Sequence, residues 1–484
     1  MKQDANTKHS ALGLIVFFQR LNGVGVTRFR ALILITLLWA GVYLPGLGEP
    51  ELKGEEGRRI LPAMAMLETG NWLVPHIGGE PYLRKPPLIN WLIAGAIETT
   101  GMREEWSVRL PSVLAVWLLG VVIVWVVGAW LGAETGLLAA LIALTHFAIM
   151  GKGRLAEIEA VYVAFSGMAM VFWMGWRGWP GAVGAGILLG LGMLTKGPVH
   201  LVFFAAVVWA GWTRIEKGWR HLGVALILAC GAYALWWMPY REATAGMNVE
   251  EVIKGQTLGR FTGGWSVSGW LLNIPRALSD FLPWTIFAPL LFSARRIVFF
   301  NTFDAVWFRR LRWVCLVVFF GMLLMPAVLP RYVMPVFIPF AVLMAVALRE
   351  ASPRWRLGMG VWPFAVTTTA VMIAVTLIYA IFVTPELRKR DDLRPLGALV
   401  QSAMEKDEAL IALDVGFEPM LFYVHNPVAY LRDEDDLPKN ACKVLMQERT
   451  AGKVRKDGRE VNSLKEWVRG EKKRFGLYLV GAAK

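Results

Sequence analysis

Charge is scarce in this chain, and so is cysteine. Asp, Glu, Lys and Arg make up 18% of its 484 residues against 56% hydrophobic residues, 23 of them Trp, and the mean hydropathy is +0.47. So few charges cannot coat a water-soluble globule of this length, which excludes a soluble enzyme and leaves a polytopic membrane protein. The three cysteines, Cys230 and Cys315 in apolar runs and Cys442 alone in the polar tail, suggest neither a disulfide framework nor a cysteine-based metal site. A cleaved leader is also missing from the pattern. The first 28 residues mix polar and apolar types and run into the first long apolar stretch without a small-residue cleavage site, so the N-terminus is expected to be retained. Nothing repeats internally, and there is no low-complexity segment or coiled-coil heptad.

What the chain has instead is a series of apolar runs near the ~20 residues that cross a bilayer, such as Leu32–Leu47, Leu110–Leu131, Trp313–Leu329 and Trp362–Val383. The formal net charge is +14, yet from Pro385 onward 19 basic residues face 17 acidic ones, a net of only +2. The excess therefore lies in the membrane part, so the expected partner of this charge is the lipid bilayer and not nucleic acid. It falls in short loops: Lys2, Lys8, Arg20, Arg28 and Arg30; Arg214, Lys217 and Arg220; Arg295, Arg296, Arg309, Arg310 and Arg312; Arg349, Arg354 and Arg356. The positive-inside rule makes these loops cytoplasmic.

Eleven crossings satisfy all of those anchors, at about 31–47, 108–131, 135–150, 158–176, 180–194, 198–213, 221–239, 280–294, 312–329, 332–349 and 360–383. The apolar piece Leu88–Gly101 is left out, because a crossing there would invert every later loop; its ~14 residues suit a re-entrant or interfacial helix. The first outer loop then spans about 48–109, and an odd count puts the tail outside. That tail alternates short apolar runs (Ala409–Val415, Val428–Leu431, Val444–Met446, Gly476–Val480) with amphipathic stretches (Leu393–Met404, Leu464–Val468), the pattern of a small soluble α/β domain. Residues 1–384 are thus expected to form a transmembrane domain and 385–484 an extracytoplasmic one, serving as a lid or an acceptor-docking module.

On this topology Glu55, Lys85, Arg154, Glu159, Lys196, Arg260 and Arg331 gather at outer loops or outer helix ends, where the charge rule gives no reason for a cation. Singly, each reads equally well as a snorkelling anchor or a paired helix-end charge. Together, two acids and several bases form a polar site suited to an anionic, membrane-borne substrate.

The stretches "EEGRRILPAMAMLETGNWLVPHIGGEPYLRKPPLINWL", "GRLAEIEAVYVAF", "LTKGPVHL", "GRFTGGW" and "LPRYVMPVFIPF" resemble, in order and spacing over about residues 30–350, the bacterial aminoarabinose-transferase-like and protein mannosyltransferase-like glycosyltransferases. The resemblance implies a GT-C fold, a helical membrane bundle with helices lying along the membrane in its first outer loop. It also implies transfer of a sugar from a polyprenyl-phosphate donor to a lipid, glycan or protein acceptor at the outer face of a bacterial inner membrane. The family's catalytic acids fall on Glu55 and Glu159, and its donor-phosphate contacts on Tyr82, Lys85, Lys196, Arg260 and Tyr332. Both acid positions are usually Asp in the family, so each carboxylate here reaches about 1.5 Å further from the backbone. Some relatives bind a metal through a Glu before Lys-Pro-Pro; this chain has Arg84 there, and neither a metal nor another cofactor is expected.

The residue types suit that chemistry. A departing polyprenyl phosphate gains charge as its bond to the sugar breaks, a task for Lys85, Lys196 and Arg260. An acceptor hydroxyl needs a base on the opposite face of the sugar, which Glu55 can supply with inversion at the anomeric carbon. Glu159 would orient the acceptor or hold Arg58 or Arg154, which act as supporting residues, and Pro86 and Pro87 stiffen the chain after Lys85. Most Trp are expected in interfacial belts and core, with Trp72 and Trp265 as sugar platforms. Two other classes fit the composition, a secondary transporter or flippase and a noncatalytic relative that binds the lipid carrier. The long outer loop with its acids and the absent repeat between halves argue against the first; the two Asp-to-Glu differences are the support for the second.

Overall fold

The computed structural model describes residues 25–52, 54–176, 178–211, 218–257, 266–292, 302–325, 328–351, 353–388, 393–469 and 473–482. They fall into two compact units: Met1–Leu47, Arg84–Ile89 and Arg109–Val383 in one, and Gly48–Leu83, Asn90–Val108 and Thr384–Lys484 in the other.

The first unit is helical, as continuous apolar sequence in lipid requires, because only a helix satisfies every backbone group within one segment. Thr27 opens the Arg28–Tyr43 helix, its hydroxyl accepting from the Arg30 N–H at 3.2 Å. Among the described residues five helices are long and apolar enough to cross a membrane: Glu105–Leu131, Ile158–Gly175, Gly218–Ala243, Pro330–Glu350 and Arg354–Leu387. The protein is therefore multi-pass. Other expected crossings fall on shorter, interrupted or less apolar helices. The one at 135–150 is a helix Ala133–Leu144, a break, and a second helix Phe147–Lys152. At the break the Thr145 hydroxyl donates to the Leu141 carbonyl (2.6 Å) and accepts from the Trp284 indole N–H (2.8 Å), so side chains replace the lost helical bond. The described part of the expected 280–294 crossing is a short 3₁₀ turn, Trp284–Leu291, and that expected at 312–329 starts earlier, as Thr302–Leu323. Gly186 and Gly190 let the Trp179–Lys196 helix lie against Gly218–Ala243: a Cβ on either would sit 2.7 Å from the Ala225 carbonyl oxygen or the Ala232 Cβ.

Arginines fasten both ends of this bundle. At one end the Arg28 guanidinium lies 5.3 Å from the Trp125 ring centre, Arg349 donates to the Leu131 carbonyl and the Thr135 hydroxyl (both 2.6 Å), and Arg356 donates to the Leu348 and Arg349 carbonyls (2.6 and 3.0 Å). Near the last turn of the first helix, Arg109 donates to the Leu47 carbonyl (2.7 Å), and Arg154 to the carbonyls of Val42 (2.6 Å) and Pro45.

The second unit is α/β. Strands β3 (Leu410–Leu413), β4 (Val428–Leu431), β5 (Cys442–Gln447), β6 (Val461–Arg469) and β7 (Lys473–Val480) follow β1 (His76–Ile77) and β2 (Glu80–Pro81) in the chain. The sheet order is β4-β3-β5-β7-β6, parallel where β3 meets β4 and β5, antiparallel where β7 meets β5 and β6. Its core holds Ile411, Leu413, Val444, Met446, Val454 and Tyr478. The expected amphipathic helix at Leu393–Met404 is present as Leu393–Ala403. The stretch Leu464–Val468 is instead part of β6, an edge strand with Asn462 to Glu466 exposed and a register shift between Ser463 and Lys465. Residues Gly48–Leu83 and Asn90–Val108, from the loop expected to be the first outer one, belong to this unit. Buried Glu51 accepts from the N–H groups of Leu393 (2.6 Å) and Arg394 (3.2 Å), and Arg394 in turn donates to Glu105 (2.5 Å) and to the Gly48 carbonyl (2.6 Å). Leu88–Thr100 is a 13-residue helix, about 20 Å long and short of the ~30 Å hydrocarbon core.

Candidate active site

In the α/β unit, Glu55 stands just before the Gly57–Thr69 helix, so that Arg58 and Arg59, three and four residues on, return to it along one helix face. Arg58 Nη1 donates to both Glu55 oxygens (3.2 and 3.4 Å), and Arg59 Nη2 lies 3.6 Å from Oε2. Arg59 Nη1 also donates to the Tyr82 hydroxyl at 3.2 Å. The side chains differ in exposure, 6% for Arg59, 31% for Glu55 and 41% for Arg58, so Arg59 is the fixed member and Glu55 faces a partly wet space. The Arg59 carbonyl accepts from the Asn90 amide (2.7 Å), tying this helix to the next. Tyr82 is delivered by the β1–β2 hairpin, whose Gly78-Gly79 turn takes positive φ at both positions, 61° and 78°, conformations that favour glycine.

The helical unit carries a second cluster. Glu159, in the first turn of Ile158–Gly175, lies 3.3 Å from Lys196 Nζ, at the last residue of Trp179–Lys196, and 3.7 Å from Arg331 Nε. Lys196 and Glu159 are 7% and 4% exposed, a nearly dry pair. The Lys196 ammonium is 5.1 Å from the Tyr162 ring centre and 4.6 Å from that of Tyr332, two cation–π faces in place of water. Lys196 and Arg331 thus share the one carboxylate of Glu159.

The remaining candidates divide as follows. Lys85 belongs to the helical unit and is half-buried, followed by buried Pro86 and Pro87. Arg154 serves the Val42 and Pro45 carbonyls, and burial is the main influence that lowers its pKa. Trp72 is exposed, and its carbonyl accepts from the Trp91 indole (2.7 Å). Arg260, Trp265 and the whole of "GRFTGGW" lie outside the described residues. Arg59, Tyr162 and the pairing of Arg331 with Glu159 were not anticipated as site features. Arg59 had a local signal, its four-residue spacing from Glu55; Tyr162 and Arg331 meet Lys196 and Glu159 through tertiary packing alone.

A family profile described as dolichyl-phosphate-mannose-protein mannosyltransferase matches residues 84–237. The undecaprenyl phosphate-alpha-4-amino-4-deoxy-L-arabinose arabinosyl transferase of Edwardsiella ictaluri is 30% identical over 220 residues, 43% of this chain and 39% of that protein. Its counterpart in Pseudomonas aeruginosa is 27% identical over 354 residues, 69% of this chain and 60% of that protein. The matched part of the chain thus spans 39% to 60% of the length of these two relatives. The crystal structure of ArnT from Cupriavidus metallidurans bound to undecaprenyl phosphate superposes with a TM-score of 0.73 at 16% identity, covering 97% of this chain and 98% of that one. The apo state of the same protein gives 0.71. The chain accordingly has the GT-C fold of ArnT, with a small C-terminal α/β region, and resembles in sequence the aminoarabinose-transferase-like and protein mannosyltransferase-like membrane glycosyltransferases.

Proposed function

We propose that the protein is an inverting membrane glycosyltransferase that takes a sugar from a polyprenyl-phosphate carrier and passes it to an acceptor at the outer face of a bacterial inner membrane. The observation that carries this reading is the buried Lys196, paired with Glu159 and faced by two tyrosine rings in a fold whose solved example holds undecaprenyl phosphate. Lys196, with Lys85 and Arg260, offsets the charge that collects on the phosphate as its bond to the anomeric carbon breaks; the family resemblance also assigns Tyr82 and Tyr332 to the donor phosphate. The acceptor oxygen attacks the opposite face of the sugar while its proton passes to the Glu55 carboxylate, leaving a glycosylated acceptor and free polyprenyl phosphate. Glu159 holds Lys196 and Arg331 in place. The reading invokes no metal, since the side-chain cations supply the charge.

The test has two parts. Mass spectrometry compares envelope lipids, glycans and proteins of wild-type and deletion strains for a missing sugar, and the purified chain is then assayed with polyprenyl-phosphate sugars for release of polyprenyl phosphate. Wild-type release is expected, with Glu55→Gln slower by roughly 10²- to 10⁴-fold and donor binding largely retained. Near-normal turnover in Glu55→Gln would remove Glu55 from the mechanism. An unaltered envelope together with no release from any donor would overturn the transferase reading.

A further inference from the structure

The Glu55 cluster is touched by a loop that neither the motifs nor the acid chemistry singles out, the segment that leaves β3 at Asp414 and enters the Pro419–Tyr423 turn. The Arg58 guanidinium that donates to both Glu55 oxygens lies 5.3 Å from the centre of the Phe417 ring. Gly57, beside it at the start of the helix, has no room for a side chain: a Cβ there would come within 3.0 Å of Phe417 and 2.9 Å of Pro419. The same loop also seats the hairpin that delivers Tyr82, since a Cβ on Gly78 would lie 2.7 Å from the Gly416 carbonyl oxygen. Tyr82 accepts from Arg59, the second arginine beside Glu55. All of these residues belong to the α/β unit, so one loop of the C-terminal sheet supports both sides of the acid's surroundings.

We infer that Phe417 is a positioning residue for Glu55, acting through Arg58. Arg58 is 41% exposed, and an arginine so exposed samples many rotamers and holds a partner weakly. An aromatic face on one side of the guanidinium restricts those rotamers and keeps its fork toward the carboxylate. The role assigned to the C-terminal region is then a buttress of the catalytic acid, beyond any part it plays as a lid or in receiving acceptor. The residue acts on geometry and not on donor affinity, because its ring meets Arg58 and Gly57 and belongs to none of the phosphate contacts.

The inference rests on the transferase reading, so turnover of the full-length wild-type chain is measured first; its absence removes both. Given wild-type turnover, Phe417→Ala is expected to lower kcat about tenfold with the donor KM changed less than about twofold, a loss from misplacement of the acid. Phe417→Tyr, which keeps the ring face, should restore kcat to within about twofold of wild type. Phe417→Leu keeps apolar bulk without the ring and should behave like the alanine variant, so it carries the test if Phe417→Ala does not fold. In an Arg58→Ala background Phe417→Leu should cost nothing further, since the residue through which it acts is gone. Wild-type kcat in both Phe417→Ala and Phe417→Leu would overturn the inference while leaving the transferase reading intact. So would a loss fully additive with Arg58→Ala, or a loss seen only in donor KM, or a Phe417→Tyr chain no better than Phe417→Leu.

Discussion

Lys196 and Glu159 show how differently a single charge behaves once water is removed. A surface pair is worth little, but taking one member from a pair this dry leaves the other uncompensated, at a cost of up to about 3–5 kcal/mol. Arg331, 3.7 Å from the same carboxylate, relieves part of that cost for Glu159, so Lys196→Ala should fold and report on function. Because the donor phosphate is anionic when bound and gains charge during transfer, Lys196→Ala is expected to raise the donor KM and lower kcat, by roughly 10²- to 10³-fold in kcat/KM. Arg84→Ala is the control: it is exposed, precedes Lys85 and matches no phosphate contact, so its effect should be far smaller. Steady-state kinetics with a polyprenyl-phosphate sugar decide the matter, and unchanged constants for Lys196→Ala would reduce it to a structural charge. The sequence made Glu159, Lys196 and Tyr332 visible as separate candidates because each stands in a short motif. It grouped them in one polar site but did not reveal that Glu159 pairs with Lys196 and Arg331, since nothing local to those motifs encodes a contact between segments so distant in the chain.

Elements of the α/β unit were legible wherever burial imposes a pattern. The apolar runs at Ala409–Val415, Val428–Leu431, Val444–Met446 and Gly476–Val480 are β3, β4, β5 and part of β7. Strand β6 was missed because an exposed, polar edge strand lacks the alternation that marks a half-buried one. Equally silent was the hold of the long loop after the first helix on the tail. Glu51 takes two N–H groups at the start of the Leu393–Ala403 helix, where no intrahelical acceptor exists for them. Glu51→Ala removes two charge-assisted bonds from a buried place and is expected to destabilise this unit by about 2–4 kcal/mol; a denaturation midpoint within error of wild type would show the contact to be dispensable. A pH effect arises at Glu408. Its partial burial pushes the pKa up, but the bond from Lys443 (2.8 Å), the bond from the Glu405 N–H (2.8 Å) and the Lys443 charge outweigh that and hold the carboxyl below its ordinary value. A depressed acid contributes stability that is fully present above its unfolded pKa near 4.5 and lost as pH falls through the folded value. The melting temperature of Glu408→Gln should therefore fall less steeply than that of wild type below about pH 4.5, and parallel profiles for the two chains would dismiss the pair.

At the scale of the whole molecule, hydropathy located the helices but not their breaks, because Thr145, His146 and the Trp284 turn are as compatible with an apolar average as a continuous helix. Charge told more. The basic residues Arg28, Arg349 and Arg356, expected in two segments on one side, fasten helix ends around Trp125, Leu131, Thr135 and Leu348, while Arg109 and Arg154 fasten the other end of the first helix. Arg28, Arg349 and Arg356 thus share one end of the bundle, and Arg109 and Arg154 the other. Orientation is then a prediction from charge: because basic loops resist translocation, the N-terminus should lie in the cytoplasm, with the first long loop and the C-terminal unit in the periplasm. A periplasm-active reporter, such as alkaline phosphatase, fused after Val383 should be active, and one fused after Arg220 should be silent. A cysteine introduced at the exposed Asp435 of the α/β unit should react with a membrane-impermeant maleimide in intact spheroplasts. Activity after Arg220 and silence after Val383 would invert the bundle, put Glu159 and Lys196 on the cytoplasmic side, and require a donor whose sugar faces the cytoplasm.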